Sequence, residues 1–100
     1  MPKTAIEIPT DRIVELCRQY QVRELALFGS VLRDDFAPES DIDLLVDFDP
    51  SAQIGFLTLA RLQRELSALF QRSVDLVPKR GLKPKIRQSV LEQAEVIYAA

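Results

Sequence analysis

Apolar residues recur along the chain at two spacings, and each spacing predicts one kind of element. Between residues 10 and 20, and again between 54 and 70, they fall at intervals of three and four, which is typical of an amphipathic helix with one buried face. Pro84 suits the first turn of a last helix that runs through Leu91. We therefore predict three helices, of which the one over 54–70 is the longest.

Shorter apolar runs lie between these helices and predict strands. The run 24–29 ends in Gly29-Ser30, a pair typical of a turn that a short helical turn over 31–34 can follow, and the run 73–77 is stopped by a proline. Polar and apolar residues alternate over 41–48, and 95–98 predicts a final strand. The order helix, strand, strand, helix, strand, helix, strand predicts an α+β or α/β domain in which helices flank a small mixed β-sheet.

Length and composition allow one small globular domain. One hundred residues, 47% of them hydrophobic and 28% charged, are enough for one modest core, so we expect a single domain over 1–100 with residues 1–9 as a flexible arm. The net charge of −2 argues against general nucleic-acid binding. No apolar run reaches the roughly 20 residues that a membrane span needs, and no signal-peptide pattern is present, so we expect a cytoplasmic protein.

The lack of histidine narrows the possible chemistry. Without imidazole there is no Ser-His-Asp triad, no histidine general base and no histidine ligand for zinc. The single cysteine, Cys17, falls on the apolar stripe of the first helix, and we interpret it as a small buried hydrophobic residue. Catalysis, if present, must rest on carboxylates, hydroxyls, lysines, arginines or a metal ion.

Carboxylates are concentrated in one part of the chain. Seven of the 15 acidic residues lie between Asp34 and Asp49, a segment that contains no basic residue. Asp41 and Asp43, two residues apart on a strand, point to the same face with Cα atoms roughly 6.6 Å apart, so they can bind one hard cation or share two. Magnesium suits such oxygen-only ligation best. The alternative is that these acids form the solvated face of an amphipathic strand.

Two further features bear on this choice. Gly29-Ser30 at a strand end allows a phosphate to approach backbone N–H groups and the Ser30 hydroxyl, although such pairs also mark ordinary turns. Asp75 is an acid within the short apolar strand SVDLV, which is costly unless it faces a metal, a partner or water. Asp75 is thus either a third carboxylate on a neighbouring strand or an outward residue on an edge strand.

The complete pattern of Gly29-Ser30, ten intervening residues and the DID segment 41–43 resembles the signature of the nucleotidyltransferase superfamily related to DNA polymerase β. Asp75 occupies the place of the third acid in that signature. The small size and the C-terminal segment are similar to those of the minimal nucleotidyltransferase (MNT) group. The resemblance implies a polymerase β-like nucleotidyltransferase fold.

The resemblance also implies roles for individual residues. Gly29, Ser30 and the adjoining backbone would bind the phosphates of a nucleotide, and Asp41 and Asp43 would bind two magnesium ions. Asp75 would be a third metal-binding and catalytic carboxylate that orients or deprotonates the attacking hydroxyl.

Arg33 is a weaker candidate for the nucleotide site. It either reaches a phosphate or pairs with nearby acids, because Asp34 follows it where the family often has glycine.

Many MNT proteins are antitoxins paired with toxins that carry a HEPN domain. The resemblance implies a magnesium-dependent enzyme that transfers AMP from ATP to a hydroxyl, a tyrosine in our prediction, of a HEPN-domain toxin with which it forms a hetero-oligomer. We expect neither direct nucleic-acid binding nor membrane association. The alternatives are an antitoxin that inhibits its toxin by binding alone, and nucleotidyl transfer to a small molecule or a nucleic-acid end.

Two features are not used by this function. The basic loop 79–85 is interpreted as a solvated segment, with attraction of a triphosphate or an RNA-linked partner as the alternative. Ile54 and Phe56, at the start of the longest predicted helix, are expected in the core, with a protein interface as the alternative.

Overall fold

The computed structural model describes residues 8–29 and 41–100, and its elements follow in the predicted order. They are α1 (Thr10–Gln19), β1 (Val22–Phe28), β2 (Ile42–Phe48), α2 (Phe56–Phe70), β3 (Val74–Pro78), α3 (Pro84–Gln93) and β4 (Glu95–Ala99). Part of the predicted basic loop is a 3₁₀ turn over Lys79–Gly81, between β3 and α3. The arm before residue 8 and the helical turn predicted over 31–34 lie outside the described residues.

The four strands form one mixed sheet in the order β3-β2-β1-β4, which confirms the predicted α+β class. β1 is antiparallel to both β2 and β4, whereas β2 and β3 are parallel. The parallel pair needs a crossover connection, and α2 supplies it. In this strand order β3 and β4 are the two edge strands of the sheet.

Helices α1 and α2 pack on one face of this sheet and form the core with it. Leu25 and Leu27 of β1 pair with Val46 and Leu44 of β2, so these four side chains share that face. The buried apolar cluster is Ile13, Leu16, Cys17, Tyr20, Val22, Leu25, Leu27, Ile42, Leu44, Val46, Leu62, Leu66, Phe70, Val74 and Leu76. Because side chains alternate along a strand, Asp43, Leu45 and Asp47 point to the other face.

The edge strand β3 is held in place by side chains of α2. The backbone N–H of Val74 donates to Ser67 Oγ at 3.0 Å, and that of Leu76 donates to Gln63 Oε1 at 2.9 Å. Ser67 Oγ itself donates to the carbonyl of Gln63 at 2.9 Å. These bonds satisfy edge donors that would otherwise be open to pairing with another strand, and they anchor the strand that carries Asp75.

Helix α3 is packed far less than the other two helices. None of its residues is buried, and Ile86 and Leu91 are among the exposed large apolar side chains. Within the described part of the chain, none of the helices has the length and apolar character required to cross a membrane.

Candidate active site

The parallel pairing of β2 with β3 brings two of the predicted site residues together. Asp43 lies directly beside Asp75 in the register, between the pairs Ile42↔Val74 and Leu44↔Leu76. Paired residues on adjacent strands point to the same face, and the strands are about 4.8 Å apart. Both aspartates therefore lie on the face of the sheet that α1 and α2 leave uncovered.

Asp41 stands one residue before β2 and is exposed. It lies two positions before Asp43, so extended geometry gives a Cα separation of about 6.6 Å. The described residues form no ion pair with Asp41 or Asp75. Three carboxylates thus share one end of the sheet, two on β2 or just before it and one on β3.

These carboxylates do not form a closed metal-binding cluster. Within 8–29 and 41–100, no three acidic or thiol side chains converge closely enough to bind one ion. An open arrangement is compatible with magnesium, which usually takes one or two protein carboxylates and fills its other positions with water and substrate phosphates.

Gly29 packs directly against Asp43 and explains part of the sequence pattern. It follows β1, which pairs with β2 so that Phe28 lies opposite Asp43. Its φ of +75° is in the left-handed region, where residues with a side chain are strained. A Cβ at this position would overlap Oδ2 of Asp43 and lie 3.2 Å from its Cγ. Glycine therefore lets the backbone approach the carboxylate closely.

Two of the predicted nucleotide-binding residues, Ser30 and Arg33, lie outside the described residues. Their roles stay predictions. Gly29 is the described member of the predicted phosphate-binding pair, and it lies against a predicted metal ligand.

Two ion pairs lie on the same face of the sheet, farther along β2. Arg23 Nη2 lies 3.2 Å from Asp47 Oδ2, and Lys79 Nζ lies 3.5 Å from Glu24 Oε1. Glu24 is paired with Asp47 in the strand register, next to an irregularity that accommodates Arg23. Asp47 and Glu24 therefore have cationic partners, which sets them apart from Asp41 and Asp75.

Asp49 has a local role at the end of β2. The backbone N–H and the hydroxyl of Ser51 donate to Asp49 Oδ1 at 2.9 and 2.6 Å. These hydrogen bonds hold the pKa of Asp49 below its ordinary value. Asp49 thus stabilises the turn after β2, which gives it a function separate from the three site carboxylates.

A cleft of about 250 Å³ opens at this second end of the sheet, between the start of α2 and the residues after β3. Its walls are mainly apolar, and Lys79 and Arg80 line it as well. Phe56 is 82% exposed, so the core position favoured from the sequence is wrong. Sequence reasoning missed this cleft because its walls come from three separate segments.

Comparison with known proteins identifies the family. A model of the nucleotidyltransferase domain matches residues 11–97. This chain belongs to the nucleotidyltransferase domain family. It is 40% identical to the protein adenylyltransferase MntA of Thermococcus cleftensis over 84 residues. This alignment covers 84% of this chain and 81% of that relative. The predicted enzyme class, a nucleotidyltransferase, is confirmed.

Solved structures agree with the fold of this nucleotidyltransferase. One described as a minimal nucleotidyltransferase has a TM-score of 0.71 at 36% identity and covers 85% of each chain. A toxin–antitoxin structure with AMP-PNP has a TM-score of 0.74 at 23% identity over 93% of this chain and 75% of that chain. A third, of a tri-AMPylated HEPN toxin from Shewanella oneidensis with an MNT antitoxin, has a TM-score of 0.64 at 22% identity over 91% and 70%. The resemblance to the MNT group is thus confirmed.

Proposed function

We propose that this nucleotidyltransferase is an antitoxin that transfers AMP from ATP to a tyrosine hydroxyl of a HEPN-domain toxin in the cytoplasm. The observation that carries the proposal is the pairing of Asp43 with Asp75 on one face of the sheet, with Asp43 against Gly29. The name of the Thermococcus cleftensis relative, a protein adenylyltransferase, supports the reaction. The AMPylated HEPN toxin seen with an MNT antitoxin supports the acceptor.

Magnesium fits the residues present. Like charges on directly opposed residues of neighbouring strands destabilise a sheet, and a cation between Asp43 and Asp75 relieves that repulsion. The donors are carboxylate oxygens, which magnesium prefers, and the chain lacks the histidines that would favour zinc. Asp41, Asp43 and Asp75 would hold the ions, whose contribution is to neutralise charge on the triphosphate and on the acceptor oxygen.

The protein's own residues would orient and deprotonate the reactants. The tyrosine oxygen forms a bond to the α-phosphorus of ATP while the bond to the bridging oxygen breaks, and pyrophosphate leaves. Asp75, on the exposed edge strand, would accept the proton of the attacking hydroxyl. Gly29 would give the phosphates access to the backbone beside Asp43. Ser30 and Arg33 would add a hydroxyl and a guanidinium to the same phosphates.

Attachment of AMP would inactivate the toxin by charge and by size. The family resemblance implies that the toxin is a ribonuclease. A nucleotide monophosphate adds negative charge and bulk, and each opposes the binding of RNA phosphates at the active site of such an enzyme. The antitoxin would work as a hetero-oligomer with its toxin. The alternative is inhibition by binding alone, in which Asp43 and Asp75 would be dispensable.

The test is the intact mass of the cognate HEPN-domain protein after incubation with this chain, ATP and magnesium. We expect a gain of one or more adenylate units with the wild-type chain and none with Asp43→Asn. Asp11→Asn, the same change at an exposed residue of α1, is the matched control and should retain the transfer. Neutralisation of the toxin by Asp43→Asn without any mass gain would instead favour inhibition by binding.

A further inference from the structure

Two large apolar side chains at the start of α2 are almost fully exposed. Phe56 and Leu57 are 82% and 81% exposed, although most other large apolar residues of the described chain are buried or half-buried. Exposing two adjacent large apolar side chains is unfavourable for a protein that acts alone. They lie beside the cleft described above, and Phe56 forms part of its wall.

The cleft, hereafter the α2 cleft, has the composition of a protein-binding pocket. Its apolar walls include Phe48, Ile54, Leu59 and Pro78. A volume of about 250 Å³ accommodates one or two side chains of a partner, not a whole domain. An aromatic residue at the rim of an apolar pocket, with an arginine nearby, is the composition typical of the residues that contribute most to protein interfaces.

Four charged residues line the α2 cleft: the acids Asp47 and Asp49 and the bases Lys79 and Arg80. Asp49 accepts hydrogen bonds within its own turn. Lys79 is engaged with Glu24, and Asp47 with Arg23, but Arg80 is exposed and forms no ion pair with any described residue. The chain between Leu76 and Leu91 contains five basic residues and no acidic one. A partner that covers Phe56 and Leu57 would therefore be complementary if it presented carboxylates to Arg80.

The α2 cleft borders the face that carries the site carboxylates. Asp47, which lines it, lies on the same face of β2 as Asp43, four residues away. That separation is about 13 Å along the strand. A protein bound at the α2 cleft can therefore extend an acceptor side chain along the sheet to Asp43, whereas a molecule bound at the far side of α1 cannot.

We propose that the α2 cleft, together with Phe56, Leu57 and Arg80, is the surface on which the acceptor protein docks. The partner is a folded protein that inserts an apolar side chain into the cleft and faces Arg80 with carboxylates. This inference rests on the proposed function, in which that partner is the HEPN-domain toxin. A nucleotide is a poorer occupant, because it is too small to cover both Phe56 and Leu57, which are almost fully exposed.

The experiment measures docking and transfer separately. The dissociation constant of the complex with the cognate HEPN-domain protein is determined by titration calorimetry without nucleotide, and AMP transfer by intact mass. We expect Phe56→Ser/Leu57→Ser and Arg80→Glu each to weaken the complex roughly tenfold or more. Binding of ATP with magnesium, in the absence of the partner, should be unchanged.

Two substitutions serve as matched controls. Ile86→Ser removes an exposed apolar side chain from α3, outside the cleft, and Arg12→Glu reverses an exposed charge on α1. Both should leave the dissociation constant within about threefold of the wild-type value. Because all the substituted side chains are exposed, the melting temperature should change little in every variant.

The outcomes separate this inference from the proposed function. A complex that depends on Phe56 and Leu57 but shows no AMP transfer would support the docking surface and overturn the proposed reaction. AMP transfer that is unaffected by substitution at the cleft would support the proposed reaction and overturn the docking surface. Weaker ATP binding with an unchanged complex would make the cleft a nucleotide site and overturn docking, and failure of the wild-type chain to bind the HEPN-domain protein would overturn both.

Discussion

Substitution of Gly29 by alanine tests how closely the backbone must approach Asp43. The structure indicates two effects of this substitution, one on the stability of the fold and one on the position of the Asp43 carboxylate. The φ of +75° is unfavourable for alanine by about 1–2 kcal/mol, which lowers the free energy of unfolding. The added Cβ overlaps Oδ2 of Asp43, and restoring ordinary contact at about 3.4 Å displaces that oxygen by about 1 Å.

The displacement of the Asp43 carboxylate affects the rate of AMP transfer more than the stability of the fold. The overlapping atom is the end of a side chain and can rotate away, so the clash adds little to the loss of stability. A shift of about 1 Å in a group that orients the reactants costs about 100-fold in rate. Gly29→Ala should therefore remain folded at 25 °C and lose about 100-fold in the initial rate of AMP transfer.

The assay compares Gly29→Ala with Gly81→Ala. No atom lies within 4 Å of a Cβ placed on Gly81, and its φ is not positive, so this change should keep the wild-type rate and stability. Urea denaturation gives the free energy of unfolding, and intact mass of the acceptor gives the rate. A folded Gly29→Ala protein with a rate within about threefold of wild type would refute a role for this close approach in orienting Asp43.

Further predictions concern the edge strand β3 and the buried thiol of Cys17. Asp75→Asn should reduce transfer at least 100-fold without lowering the melting temperature, because Asp75 is exposed, forms no ion pair with a described residue and lies beside the like charge of Asp43. Gln63→Leu removes the acceptor for the Leu76 N–H and should lower kcat about tenfold with little effect on the KM for ATP, whereas Gln63→Glu keeps an acceptor oxygen and should restore the rate. Burial raises the pKa of the Cys17 thiol to about 12, so the folded state retains a proton that the unfolded state loses near pH 9. Stability should then fall between about pH 9 and 12 by at most about 1.4 kcal/mol per pH unit, and urea titration of Cys17→Ala should show a shallower fall.

Helical and strand periodicity, together with Pro84 for α3, was sufficient for the order and type of the α-helices and strands, whereas the 3₁₀ turn Lys79–Gly81 was not predicted. The stripe over α1 and the alternation over β2 each bury one face, and the buried residues Ile13 and Leu44 lie where those periods put them. The end of the core was harder to predict. Phe56 is three residues before Leu59 and thus falls in phase with the buried stripe of α2, but it is exposed. Period alone does not tell where a helix extends past the sheet it packs on.

The sequence nominates the residues of the candidate site, but it does not show which of them lie side by side. A spacing of two residues was enough to put Asp41 and Asp43 on one face. That Asp75 lies beside Asp43 depends on which strands are neighbours and on their register, and neither is a local property of the sequence. The α2 cleft was unpredictable for the same reason, because three separate segments form its walls.

The register of β3 links the fold to the proposed chemistry. Side chains alternate between the two faces of a strand, so a slip of one residue would turn Asp75 into the core and move Leu76 to the site face. The packing of Val74 and Leu76 against the core opposes such a slip. The hydrogen bonds from their N–H groups to Ser67 and Gln63 oppose it as well, because each fits one register. Ser67 and Gln63 of α2, which bond to the edge of the sheet, thus also keep Asp75 beside Asp43. The same contacts therefore set both the stability of the core and the position of the carboxylates.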